Sequence, residues 1–305
     1  MTISDVLGVP SISGNFDVER LRRSLSENNE KLRTAFVMYV LEALFFDSVL
    51  DDDLAQLRNS ASILEVGAGI GLLSMLTSLR GFTVTAYEPE SDGFGHMRQI
   101  RKILGDCWIG PALDVTFIDD YFTNNVADGP GFEFAYAINV IEHVPDPERL
   151  IQDVTSSLSP DGRARFICPN YDFPYEPHLG IPTLWNKSLT KRVFRRSIGN
   201  SSIDNIEAFW SDLSWPSVRT LKRGLAGCGV HLSFDRRAVR DYVSRLETDA
   251  GFVERKGRLF KFARAALTPL ISFGAKIIPV RWLPIIDLTT RRASGRPSQV
   301  STASH

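Results

Sequence analysis

The sequence predicts an α/β protein built on a doubly wound, mostly parallel sheet. Between Ser62 and Cys168, short apolar runs alternate with stretches of helical spacing, the pattern of parallel strands covered by helices on both faces. The first of those runs leads straight into a loop carrying three glycines, Gly67, Gly69 and Gly71. An apolar content of 43% in 305 residues is enough for the core such a sheet needs.

The elements follow in order. Residues 1–60 read as an N-terminal helical segment, because apolar residues such as Leu32, Phe36, Tyr39, Val40 and Leu44 recur at helical spacing with no Gly or Pro between Phe16 and Asn59. Residues 61–168 read as the core, with five strands at SILEV (62–66), TVTAYE (83–88), DVTFI (114–118), EFAYAI (133–138) and RARFIC (163–168). From 169 to 216 the alternation stops. Aromatics crowd this stretch, among them Tyr171, Trp185, Phe209, Trp210 and Trp215, and an insertion at the carboxyl end of a strand lies where open α/β sheets bind ligands. A substrate lid is expected there. Residues 217–254 return to the core with helices at Ser217–Ala226 and Arg237–Leu246 and the late strands. Residues 255–292 read as a basic, amphipathic, helical extension, and the small polar residues 293–305 as a disordered tail.

A net charge of −1 conceals a polarised chain: residues 1–150 hold 11 basic and 23 acidic side chains, residues 151–305 hold 24 and 13. Three cysteines without a short C-x-x-C spacing make neither a disulfide framework nor a zinc site and fit a reducing cytoplasm. The first residues lack a basic stretch followed by an apolar one, so no signal peptide is expected. The most apolar stretch, Leu267 to Ile286, is broken by Lys276, Arg281 and three prolines; it does not read as a spanning helix, and contact with a membrane surface stays open.

The glycine loop carries the most information. Glycine permits the tight turn from strand to helix and lets backbone approach a ligand with no Cβ in the way. The spacing is G-x-G-x-G with Leu at 72, whereas a dinucleotide fingerprint is G-x-G-x-x-G. The second strand ends at Glu88, 21 residues past Gly67, where a carboxylate can accept hydrogen bonds from both hydroxyls of an adenosine ribose.

With these residues the sequence resembles the class I S-adenosylmethionine-dependent methyltransferases. VTFIDDYF, with Asp119 and Asp120, and FEFAYAINVIEHVPDPERLIQDVTSSLSPDGRARFICPN extend the resemblance from about residue 60 to 170. One departure is Pro160-Asp161-Gly162 in place of the usual Pro-Gly-Gly turn. The resemblance implies a Rossmann-like, seven-stranded sheet and S-adenosylmethionine as cofactor. It places Glu65, Gly67, Ala68, Gly69 and Gly71 at the methionyl part, Glu88 with Pro89 at the ribose, Asp119 or Asp120 at the adenine, and Asn139 with Val140 beside the transferred methyl group. Two other readings remain at this stage: a nicotinamide oxidoreductase on a similar sheet, which the glycine spacing opposes, and a protein that binds the cofactor without turnover.

Methyl transfer from a sulfonium is an in-line displacement, so alignment supplies much of the catalysis. A hydroxyl acceptor adds the need for a base, and His suits that at neutral pH. Two of the five histidines are placed for it: His143, next to Glu142 after the fourth strand, and His178 in the aromatic insertion. His143 reads chiefly as support for the cofactor pocket, and His178 as a base or acceptor contact beside Tyr171 and Trp185. Glu142 with Asp146, Asp172 or Glu176 would make a magnesium site, but the simpler reading is capping and surface carboxylates, Asp146-Pro147 fitting a helix start. No metal is expected.

KSLTKRVFRR (187–196) and RKGRLFKFAR (255–264) each carry five basic residues in ten. They read either as solvated faces or as contacts for something anionic, a membrane surface met through 255–292 or a charged acceptor. No RNA-binding motif accompanies them. The sequence therefore predicts a cytoplasmic methyltransferase, peripheral at the membrane if 255–292 makes that contact, acting on an oxygen of a small-molecule, glycan or lipid-linked acceptor.

Overall fold

All five predicted runs are strands, joined by two more into a single seven-stranded sheet. The computed structural model describes residues 3–89, 95–123, 130–184, 186–201, 205–248 and 277–293. Trp185, the basic run 255–264 and the polar tail from 294 lie outside these residues. Strands β1 (Ser62–Val66), β2 (Thr83–Tyr87), β3 (Val115–Ile118), β4 (Phe132–Ile138) and β5 (Leu158–Pro169) are followed by a two-stranded hairpin, β6 (Tyr175–Glu176) and β7 (Ile181–Pro182), and then by β8 (Val230–Phe234) and β9 (Ile285–Arg292). The large sheet has the order β3-β2-β1-β4-β5-β9-β8. Its first five strands pair in parallel, and β9 runs antiparallel to both β5 and β8.

The sheet is buried on both faces. Along β1 and β4, Ile63 and Phe134 join one apolar cluster while their neighbours Leu64 and Ala135 join the other, as period-2 alternation requires. The first cluster is closed by the N-terminal helices α1 (Ile3–Leu7), α2 (Pro10–Ser13), α3 (Val18–Ser26), α4 (Glu30–Val49) and α5 (Asp51–Leu54), together with α6 (Leu72–Leu79) and α7 (Gly95–Asp106). Asn29 caps α4 by accepting from the Leu32 amide at 2.9 Å, and Leu32, Phe36 and Val40 bury one face of that helix. The second cluster is closed by α8 (Pro147–Ser156) and, further along the chain, by Val218–Gly224. Asp146 caps α8 through the Arg149 amide, with Pro147 at the first helical position.

The insertion 169–216 is more regular than the sequence suggests. Besides the β6–β7 hairpin it holds α9 (Lys187–Val193), α10 (Arg195–Gly199) and α11 (Ile206–Asp212), and Ile181, Ile198, Trp210 and Leu213 give it a small core of its own. After it come α12 (Val218–Gly224) and α13 (Arg237–Thr248), near the predicted bounds.

Residues 285–292 correct the expectation of a helical extension running to 292. They form β9, inside the sheet. The strand signal is masked by Asp287 in the middle of the run, and that residue is buried because it meets a buried cation. Arg165 on β5 donates from Nε and Nη2 to the two oxygens of Asp287, each at 2.9 Å, and from Nη1 to Asp53 of α5 at 2.8 Å. Asp287 also accepts from the Ala238 amide at the start of α13, and Arg237 reaches Asp53 at 3.2 Å. One guanidinium thus ties β5, β9, α5 and α13 together. Removing one partner of such a group leaves the others charged and dry. Arg165→Met is expected to lower unfolding stability by about 3–5 kcal/mol in urea denaturation; a loss under about 1 kcal/mol would show that water or the neighbouring arginines compensate.

Candidate active site

The strand order reverses between β1 and β4, and the carboxyl ends of these two strands frame a cleft. Such a switch point is where doubly wound sheets take ligands. On one side β1 passes into α6 through Gly67, Gly69 and Gly71, whose φ angles are 80°, 54° and 75°, a region closed to most side chains. A Cβ at residue 67 would lie 2.2 Å from Val140 Cγ2, so this turn touches the end of β4 directly. Beside Gly69 there is room: its nearest neighbour to a built Cβ is Met97 Sδ at 3.7 Å.

Glu88 closes this half of the cleft. Its Oε2 accepts from the Gly69 amide at 2.8 Å. Burial pushes its pKa up, against the pull of that amide and of Arg101. Glu65 lies under the loop: fully enclosed, it accepts from Ser74 on α6 and from the Tyr136 hydroxyl on β4 at 3.1 Å, and burial raises its pKa to about 8. The carboxylate therefore braces the loop against helix and sheet. Asp119 after β3 is held by Arg101 of α7 at 2.5 Å, whose guanidinium also stands 5.4 Å from the Phe117 ring. Asp120 accepts from the amide of Tyr121. A tight glycine turn beside a strand-end carboxylate fits an adenosine-bearing cofactor: the loop would hold the methionyl part and Glu88 the ribose.

The other half is built on the end of β4. Asn139 sits in the left-handed region at φ 55°, tolerated by Asn, and its side chain hydrogen-bonds Tyr242 of α13. Residues Ile141–His143 make one 3-10 turn that returns the chain over the cleft. The turn is pinned from the insertion: Ser214 donates its amide to the Glu142 carbonyl at 2.8 Å and its hydroxyl to the Ile141 carbonyl at 3.0 Å.

The two predicted histidines meet here. The rings of His143 and His178 are 5.1 Å apart, and Phe209 of α11 contacts both at 5.6 and 5.3 Å. His178 Nδ1 lies 2.6 Å from Oε1 of Glu176, which also accepts from the Leu179 amide and the Tyr171 hydroxyl. That carboxylate raises the His178 pKa, while burial and the neighbouring His178 lower that of His143 to about 3. Glu142 is fully buried, with neither carboxylate oxygen bonded by another described residue, and burial raises its pKa to about 7. Glu142, Asp172 and Glu176 are thus interior groups, which corrects their reading as surface carboxylates. Tyr171 is buried too; it holds Glu176 and stacks on Trp215, ring to ring at 4.9 Å, so its role is to shape the insertion.

Several residues that the sequence does not single out belong to the cleft. Tyr39 of α4 stacks on His96 of α7, hydroxyl to Nε2 at 3.2 Å, and feels the charge of Glu88. Glu42, one turn further, acts electrostatically on Tyr39, Glu142, His178 and Tyr242. Helix α4 thus carries groups that act on both halves.

The family model of a methyltransferase domain matches residues 41–216, more than half the chain. The chain belongs to the class I S-adenosylmethionine-dependent methyltransferases. S-adenosylmethionine is its cofactor. An uncharacterized protein of Mycobacterium tuberculosis (strain ATCC 25618 / H37Rv) is 36% identical over 251 residues, covering 81% of this chain and 84% of that one. A ubiquinone biosynthesis O-methyltransferase of Actinobacillus pleuropneumoniae is 31% identical over 101 residues, 33% of this chain and 42% of the other. Among solved structures, an S-adenosylmethionine dependent methyltransferase from Mesorhizobium loti aligns with a TM-score of 0.45 at 16% identity, over 80% of this chain and 98% of that one. No helix among the described residues is long and apolar enough to cross a membrane.

Glu88→Ala removes a carboxylate bonded to the glycine loop. It is expected to weaken S-adenosylhomocysteine binding at least about 10-fold in isothermal titration, the loss of roughly one charge-assisted hydrogen bond. Binding as tight as wild type would remove Glu88 from the ribose.

Proposed function

We propose that this methyltransferase transfers its methyl group to an oxygen of a small-molecule, glycan or lipid-linked acceptor seated against Glu142, His143 and His178. The observation that carries the reading is the convergence of these three polar side chains and the Phe209 ring at the end of β4, across Val140 from the glycine loop. An oxygen nucleophile must shed a proton, and a cluster of imidazoles and carboxylates is suited to hold and polarise a hydroxyl. The name of the Actinobacillus relative, an O-methyltransferase, supports the same acceptor atom over the shared 101 residues.

In this reading the protein's work is mostly placement. The glycine loop and Glu88 fix the donor, α4 covers the cleft, and the insertion brings His178 and Phe209 to the acceptor. Excluding water matters because the methyl sulfonium must meet only the chosen nucleophile. The basic helices α9 and α10 favour an anionic acceptor: Arg192, Arg195 and Arg196 are exposed, whereas Lys191 is paired with Glu207. A lipid-linked or phosphorylated acceptor would meet that face first. Peripheral attachment through the part of 255–292 that precedes β9, and a cytoplasmic location, are part of the same proposal.

The test is a cell extract incubated with the protein and methyl-labelled S-adenosylmethionine, followed by fractionation of the labelled product. The expected product carries an oxygen-linked methyl group and is retained on an anion exchanger. His178→Ala is expected to lower its formation about 100-fold or more while S-adenosylhomocysteine binding is retained. Label on nitrogen or carbon would overturn the acceptor assignment.

A further inference from the structure

The cluster at the end of β4 has the composition of a metal site. Glu142, His143 and His178 each offer one ligand atom, and these atoms all lie within 4.8 Å of one another. Closing on an ion at about 2.0–2.2 Å would need a contraction of the order of an ångström, within the reach of side-chain rotation. Both oxygens of Glu142 are buried without a hydrogen bond from another described residue, with His143 Nε2 4.0 Å from Oε1, an expensive place for a carboxyl group. Two further carboxylates, Glu176 and Glu42, add their charge to the same spot.

The second shell points the same way. His178 is bonded through Nδ1 to Glu176 at 2.6 Å, which leaves Nε2 as the ring's other donor atom. A carboxylate on the remote nitrogen is the usual support of a metal-binding histidine, fixing its tautomer and orientation. Glu176 is itself held by the Leu179 and His178 amides and by Tyr171, so the support is rigid.

We infer that Glu142, His143 and His178 form a three-ligand site for a divalent transition-metal cation of the zinc class, with an open position facing the acceptor. Two nitrogens and one oxygen suit such an ion and do not suit magnesium, which takes an oxygen shell. Three protein ligands and a vacancy are the arrangement of a catalytic site. The inference rests on the acceptor-site reading above and gives it a chemistry. The acceptor hydroxyl binds the cation as a Lewis base and loses its proton to solvent. The resulting oxyanion attacks the sulfonium methyl carbon; the C–O bond forms as the C–S bond breaks, and the electron pair stays on sulfur. The products are the methyl ether, S-adenosylhomocysteine and one proton. His178 then acts as a ligand, in place of the base expected from the sequence.

The experiment measures Zn(II) and Mg(II) binding to the full-length, metal-stripped protein by equilibrium dialysis, with S-adenosylhomocysteine binding measured on the same samples. The inference expects one Zn(II) per chain and little Mg(II). Glu142→Gln and His178→Ala should each weaken Zn(II) at least 100-fold, and Glu176→Gln, which is not a ligand but orients His178, 10- to 100-fold. S-adenosylhomocysteine should bind every variant as it binds wild type, which also shows that each is folded. Zn(II) absent from a protein that binds S-adenosylhomocysteine overturns the metal site and leaves the methyltransferase reading standing, as does Zn(II) binding unchanged in the variants. Failure to bind S-adenosylhomocysteine would instead strike at the cofactor reading.

Discussion

The contact between Gly67 and Val140 is the constraint on which the site depends. Only a residue without Cβ lets the turn after β1 lie against the end of β4, since a Cβ there would fall 2.2 Å from a Val140 methyl. The close approach makes the last residues of two adjacent parallel strands into the two walls of one cleft. On the β1 side stands the glycine turn with Glu88 bonded to its Gly69 amide; on the β4 side the chain continues within three residues to Glu142 and His143. Strand pairing and one missing side chain thus set the glycine loop beside Glu142 and His143, while the insertion adds His178.

Electrostatics divides the cleft in a matching way. Its walls are rich in carboxylates held at a cost: Glu65 and Glu142 are both enclosed and pushed toward their neutral forms, and Glu88 shifts in the same direction. A cationic sulfonium on one side and a divalent cation on the other would each relieve that cost. The buried charges elsewhere are already balanced: Arg165 of β5, opposite Tyr136 of β4, joins Asp53 and Asp287. The acidic N-terminal half and basic C-terminal half therefore have separate duties. In the proposed reading the first would surround the cations, while α9 and α10 from the second carry exposed arginines that would meet an anionic acceptor.

Much of the fold is legible in the sequence because the parallel strands are buried on both sides and read as continuous apolar runs. β1 is Ser62–Val66, as its apolar run indicates, and the glycine loop follows from its spacing. β9 is not legible, because Asp287 looks like an interruption until Arg165, 122 positions earlier, is known to face it. In the site, His143 and His178 stand out as scarce residue types near strand ends, yet their meeting depends on how an insertion with its own small core folds back. The burial of Glu142 and Glu176 has no local signal, since a carboxylate in a turn or hairpin is usually solvated. Tyr39 and Glu42 are hidden for another reason: they lie on a long helix whose apolar spacing explains nearly every residue around them, so the two facing the cleft look like ordinary positions.

In the proposed geometry the Gly67–Val140 contact sets the donor sulfur directly beside the Glu142–His143–His178 cluster. A crystal structure with S-adenosylhomocysteine and Zn(II) tests it most directly. The account predicts the methionyl part on the loop from Gly67 to Gly71, the ribose on Glu88, the ion on the two histidines and Glu142, and a clear line from sulfur to the open position of the ion. A cofactor bound with its sulfur turned toward Phe117, or a metal held elsewhere with the cluster packed shut, would contradict it.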